Sequence, residues 1–341
     1  MHRAYLPTLD GWRAIAILAV ISSHTRWPWY KVVQISQYGA MGVHLFFGLS
    51  GFLITWWLIQ EHEQTGRVDW RNFYLRRAFR ILPAAYVYLA VIAMLGFALH
   101  LIPVGRLQLA ASAFFFRNYA TAPPPEPWYT EHFWSLAIEE HFYLLWPLIL
   151  FLAGFRRARY LAPLLAMAVA VWRLIDDPML KGNAGRTDYR LDTLFWGCAV
   201  ALLWSQPLFQ RILRRTAGTA MVIVILIATA ATLRWLPFGY FTMLAILMAL
   251  LPAATVARPD SLAGRFLELA PLRWIGRLSY SLYLWQQLFF VVFGVEPTLG
   301  RIQVPPWDFA AALAAASLSY YLVERPAIAY GKIFLSQSAA R

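Results

Sequence analysis

Apolar runs long enough to cross a lipid bilayer recur from one end of this chain to the other, and no other feature restricts its fold so tightly. They cover residues 8–25, 40–60, 79–102, 133–153, 158–175, 190–206, 218–235, 238–256, 278–295 and 307–325, each close to the ~20 residues that span a hydrocarbon core. Inside lipid every backbone N–H and C=O must be satisfied within the segment, so runs of this length form helices. With 60% of its 341 residues hydrophobic and only 14% charged, the chain is far more apolar than a soluble domain needs to be. The expected fold is all-α: a polytopic transmembrane helical bundle of about ten spans. No internal repeat or long linker divides it, so residues 1–341 are expected to form a single domain. No appended soluble domain is expected after the short tail. The first run carries Asp10 and Arg13 and is not followed by a small-residue cleavage site, so it is expected to be a permanent span rather than a signal peptide.

The basic residues give the orientation. With the N-terminus in the cytoplasm, 18 Lys and Arg fall on that side: Arg3, five from Arg67 to Arg80, three from Arg156 to Arg159, three from Arg211 to Arg215, four from Arg258 to Arg277, Lys332 and Arg341. Eight fall opposite: Arg26, Lys31, Arg106, Arg117, Lys181, Arg186, Arg234 and Arg301. This asymmetry predicts both termini cytoplasmic. The net charge of +13 is then a topology signal, with membrane lipid as its partner and no role in binding nucleic acid. Trp27, Trp29, Trp56, Trp57, Trp235 and Trp307 sit near span ends, where aromatic belts are ordinary. The single Cys198 excludes an internal disulfide and a zinc framework, and His44 and His132 fit no metal-ligand spacing, so no metal is expected.

Polar residues inside such spans are costly and tend to mark functional paths. Arg13 and His24 are eleven residues apart on the first run, which returns them to within ~20° of each other around a helix and ~16 Å apart along it. In the expected topology His24, His44, the group His132, Ser135, Glu139 and Glu140, and the pair Arg190 and Asp192 all lie in the outer half, which predicts a polar chamber. His132, Ser135 and Glu139 share a helical face, whereas Glu140 is turned ~100° away. A carboxylate there would orient a histidine acting as a general base. At the inner end Arg76, Arg77 and Arg80 can bind phosphates through charge-assisted bonds. Each feature also has a structural reading: an interfacial histidine, a positive-inside anchor, or an ion pair between Arg190 and Asp192.

Seven stretches, in order, resemble the successive signatures of acyltransferase family 3: LDGWRAIAILAVISSH, GVHLFFGLSGFLI, FYLRRAFRILP, HFWSLAIEEHFYLLWP, YRLDTLFWG, WIGRLSYSLYLWQ and LSYYLVERP. The resemblance implies a multi-pass enzyme of the bacterial inner (cell) membrane that O-acylates carbohydrates. It implies that Arg13 and His24 are essential, that Glu139 and Glu140 are the paired glutamates, and that Arg76, Arg77 and Arg80 are the basic motif. Two departures stand out: His44 replaces a frequent aspartate, and Gln286 and Gln287 replace a frequent His and Trp, changes expected to bear on acceptor choice.

The implied reaction moves an acyl group, most simply acetyl, from cytoplasmic acyl-CoA to a hydroxyl of a carbohydrate or glycolipid of the cell envelope. The donor is a substrate, and no tightly bound cofactor is expected. Arg13, Arg76, Arg77 and Arg80 would hold the CoA phosphates. His24 would act as base or nucleophile with Arg13, Glu139 and Glu140, and Trp134, Ser135, Arg190 and Asp192 would meet the acceptor. Two other readings stay open: a transporter or flippase of a glycolipid or organic anion, and acylation of a small cytoplasmic acceptor such as a macrolide.

Overall fold

A computed structural model of the chain describes residues 5–25, 36–120, 128–176, 185–235, 240–291 and 296–339. Arg3, Arg26, Trp27, Trp29, Lys31, Lys181, Arg341 and the run APPPEP at 122–127 lie outside the described residues. The helices are α1 (Pro7–His24), α2 (Ser36–Thr65), α3 (Trp70–Ala93), α4 (Arg106–Ala113), α5 (Phe133–Asp176), α6 (Leu191–Trp204), α7 (Pro207–Thr216), α8 (Thr219–Trp235), α9 (Tyr240–Val256), α10 (Leu262–Leu267), α11 (Ala270–Phe289), α12 (Trp307–Ser319) and α13 (Arg325–Ala339). No strand occurs among the described residues, and the greater part of every apolar run is helical.

Three helical stretches, Gly39–Thr65, Trp70–Ala98 and Trp128–Asp176, are long and apolar enough to cross a membrane, and α7 with α8 adds a fourth if that bent pair is one span. Leu191–Trp204 and Phe241–Val256 are apolar but shorter. The outer surface matches such a setting. On α5, Leu144, Leu148, Phe151 and Leu152 are exposed, as are Val224 and Ile227 on α8. In water such stripes would be association surfaces; against lipid they cost nothing.

Local backbone chemistry places the helix breaks. The 44 residues of α5 would reach ~66 Å if straight, about twice a hydrocarbon core. The helix is broken instead at Gly154, whose φ of 70° lies in the left-handed region that glycine adopts without a Cβ clash. That glycine falls between the fourth and fifth apolar runs. Between α7 and α8 the chain turns by 89° at Gly218, where φ is 107°.

The last run differs from expectation. The last apolar run was expected to be a span ending at 325, beside Glu324, Arg325 and Pro326, yet α12 continues through a π-turn at Tyr320–Glu324 into α13. Pro326 cannot donate to the ladder and crowds the carbonyl one turn back, and the wider π-turn immediately before it absorbs that misfit. Glu324 is therefore buried within the helix, 2% exposed, where it accepts from Ser281 Oγ at 2.9 Å.

The chain forms two compact units: residues 1–20, 37–68 and 138–277, and residues 21–36, 69–137 and 278–341. In the first, Leu9, Trp12, Ala16, Leu49, Phe52, Met248 and Leu251 belong to one buried apolar cluster. Glycines let its helices approach closely: a Cβ added to Gly51 would come within 2.0 Å of the Leu194 carbonyl oxygen, and one on Gly197 within 2.3 Å of the Gly48 carbonyl oxygen. In the second unit α3 packs along α13, and Tyr88 and Tyr280 donate to the carbonyls of Tyr129 and Ile81 at 2.7 and 2.8 Å.

Candidate active site

His24 is the last residue of α1, half-buried, in the unit that contains 69–137 and 278–341. Its Nδ1 lies 2.9 Å from Oε1 of Gln286 on α11. The amide chain continues: Gln286 Nε2 donates to Gln287 Oε1 at 3.1 Å, and Gln287 Nε2 donates to the Trp128 carbonyl at 3.0 Å. Trp128 returns the contact, its Nε1 donating to the carbonyls of Gln287 and Phe290 at 2.9 and 3.0 Å. Those carbonyls belong to the end of α11, where helical partners run out, so the indole satisfies them. The His24 ring meets Trp128 edge to face, centroids 5.4 Å apart.

In the same unit Ser135 Oγ and Tyr283 Oη are 2.5 Å apart, and Tyr283 also reaches the His132 carbonyl at 3.3 Å. The His132 ring packs against Tyr88, Phe133 and Tyr283, and neither of its nitrogens has a hydrogen-bond partner among the described residues. Arg76, Arg77 and Arg80 lie in the opening turns of α3, which begins nine residues before the expected span; Asp69 caps it by accepting from the Asn72 N–H. Arg76 and Arg80 are four apart and share a face, while Arg77 lies 6.0 Å from the Phe73 ring centroid. Trp134 is half-buried.

The other unit holds Arg13, Glu139, Glu140, Arg190 and Asp192. Arg13 and Glu140 are half-buried. Glu139 accepts from Ser50 Oγ at 3.0 Å and from Tyr143 Oη at 2.7 Å. A carboxylate was expected to orient His24; the described partner of its Nδ1 is the Gln286 amide instead. Asp192 does not form the ion pair with Arg190 that was the structural alternative for these two residues. Its Oδ2 accepts from Arg173 at 2.6 Å and its Oδ1 from the Thr193 N–H at 3.0 Å. Arg173 also reaches the Tyr189 carbonyl at 2.5 Å and Thr242 Oγ1 at 2.8 Å. Arg190 instead donates to His44 Nε2 at 3.3 Å and covers the Phe241 ring at 4.2 Å; His44 Nδ1 meets Thr193 Oγ1 at 2.9 Å. Ser135 and Asp192 are buried, at 3% and 0% exposure, with their oxygens engaged inside the protein.

Comparison with known proteins decides the family, since the model of the acyltransferase domain matches residues 6–324. The chain belongs to this acyltransferase family. Among curated relatives of the acyltransferase, the peptidoglycan O-acetyltransferase OatA of Listeria monocytogenes is 31% identical, over 95% of this chain and 56% of the relative. The putative peptidoglycan O-acetyltransferase YrhL of Bacillus subtilis is 30% identical, over 95% of this chain and 55% of its own length. The O-acetyltransferase OatA of Staphylococcus aureus is also 30% identical, over 94% and 57%. The chain thus spans just over half the length of these relatives. No solved structure matches it.

Three elements of this acyltransferase were not anticipated from the sequence: the contacts of Trp128 with α11 and His24, the hydrogen bonds from Gln286 and Gln287 that reach His24, and the partners of Arg173. Gln286 and Gln287 stood out only as unusual residues, Trp128 left no signal, and Arg173 left a physical one. It and Asp192 are opposite charges in separate apolar helices, each needing a partner before it can be buried.

Proposed function

We propose that this chain O-acylates a carbohydrate or glycolipid of the bacterial cell envelope, taking an acetyl group from acyl-CoA. The observation that carries the proposal is the His24 imidazole: one nitrogen is held by Gln286, and the ring closes the helix that also bears Arg13, in a chain of the acyltransferase family. The proposed setting is a ten-span protein of the inner membrane with both termini cytoplasmic. The break at Gly154 and the turn at Gly218 support that count by dividing the helices where the apolar runs divide.

Arg76, Arg77 and Arg80, with Arg13, hold the phosphates of acyl-CoA. His24 takes the proton of the acceptor hydroxyl as its oxygen attacks the thioester carbonyl. The tetrahedral intermediate then collapses, the C–S bond breaks, and the imidazolium returns the proton to the departing thiolate. The products are the O-acetyl ester and free CoA. In the nucleophilic variant the same ring carries the acetyl group between the two steps. Trp134, Ser135, Arg190 and Asp192 are assigned to the acceptor, with Glu139 and Glu140 at the reacting end. The curated relatives' names point to peptidoglycan as the first acceptor to try.

The test is incubation of the purified protein in lipid vesicles with acetyl-labelled acetyl-CoA and peptidoglycan-derived oligosaccharides. Alkali-labile label on the glycan is expected. Label that stays on CoA, with movement of glycolipid across the vesicle, would establish transport instead.

A further inference from the structure

The buried amides beside His24 can be arranged in only one way without leaving a polar group unmatched. The Trp128 carbonyl can only accept, so Gln287 must turn its Nε2 toward it, at 3.0 Å. That leaves Gln287 Oε1 facing Gln286, which must donate from its own Nε2, at 3.1 Å. Gln286 Oε1 is then directed at His24 Nδ1, at 2.9 Å. A carbonyl oxygen has no proton to give, so Nδ1 carries the hydrogen. Flipping either amide would set two N–H groups or two oxygens against each other, and Gln286 and Gln287 are 0% and 1% exposed. An unmatched polar pair in such surroundings costs roughly 1–3 kcal/mol.

We propose that Gln286 and Gln287 are positioning residues for acyl transfer: anchored on the Trp128 carbonyl, their amide relay holds His24 as the Nδ1–H tautomer and gives Nε2 the lone pair that receives the acceptor's proton. Nε2 has no hydrogen-bond partner among the described residues. Trp128 holds both ends of the device, since its carbonyl ends the relay, its indole clamps the end of α11 that bears the two glutamines, and its ring packs against His24. This inference rests on His24 being the reacting group.

The tautomer is read from ¹⁵N NMR of histidine-labelled full-length protein in nanodiscs, with the His24 signals identified by their loss in His24→Ala. The wild-type ring is expected to show a protonated, pyrrole-type Nδ1 and a pyridine-type Nε2. Gln286→Met should abolish that pattern. So should Gln287→Met, although Gln287 does not touch the ring. Each is expected to lower kcat for transfer from acetyl-CoA to peptidoglycan oligosaccharides on the order of tenfold to a hundredfold, by analogy with the loss when a metal-bound histidine is deprived of the partner that orients it, with KM for acetyl-CoA unchanged. A wild-type ring protonated at Nε2 overturns the inference and needs no variant to fold. So does an unchanged pattern and kcat in both variants. If His24→Ala keeps its transferase activity, the functional reading fails, and the NMR result on the tautomer still stands as a separate finding.

Discussion

His24 and Gln286 are 262 positions apart in sequence, and their Nδ1 and Oε1 atoms are 2.9 Å apart in the fold. An amide partner orients the ring without being able to take its proton, unlike the carboxylate commonly found beside a basic histidine. The residue that ends α1 is thereby tied to α11, a segment near the opposite end of the sequence.

The buried pair of Arg173 and Asp192, 8% and 0% exposed with 2.6 Å between them, should behave as a stability element. Arg173→Met or Asp192→Leu alone leaves one charge buried without its partner and is expected to cost about 3–5 kcal/mol. The double variant should be milder than either single one. Thermal unfolding of detergent-solubilised protein measures this; single variants as stable as wild type would rule out the structural role.

Close helix packing at Gly51 leads to a second prediction. A methyl group there would meet the Leu194 carbonyl oxygen at 2.0 Å, and both atoms belong to helix backbones that can give way only by moving apart. Gly51→Ala is expected to prevent recovery of monodisperse protein. Gly66→Ala is the contrast: nothing lies within 4 Å of the added carbon, and its φ of 74° carries a backbone penalty of only about 1–2 kcal/mol. Equal yields of the two variants would contradict the packing account.

The donor-binding role proposed for the arginines of α3 is separable from the chemistry. Arg76→Ala with Arg80→Ala is expected to raise KM for acetyl-CoA about tenfold, equivalent to ~1.4 kcal/mol of lost phosphate contact, with kcat changed little. An unchanged KM would reduce the cluster to a topology anchor.

Much of the architecture was legible because lipid leaves a chain few options. A run of apolar residues must be helical, so the helix positions followed from hydropathy. Periodicity was less informative about where helices end. The helix at Trp70 starts well before the apolar stretch because Asp69 caps it and the polar residues that follow lie on its first turns. Pro326 did not stop its helix because a π-turn accommodates it, a register change without a sequence signature. Among the candidate site residues, Arg13 and His24 stood out because charged and titratable groups are rare in apolar spans. Gln286 and Gln287 were visible only as unusual residues: an amide's role depends on which partner it faces, and that partner, Trp128, lies in a turn far away in sequence. An ion pair between Arg190 and Asp192 was the structural alternative that their proximity in sequence offered, and in the fold that carboxylate accepts from Arg173.

The central claim is that the His24 imidazole performs the transfer, and the most direct measurement is acetyl transfer from labelled acetyl-CoA by His24→Ala, with insertion and thermal stability checked against wild type. The account predicts a loss of at least about a hundredfold in kcat, the contribution expected of a positioned base, in a protein that still inserts and melts normally. Undiminished transfer by a properly inserted variant would contradict it.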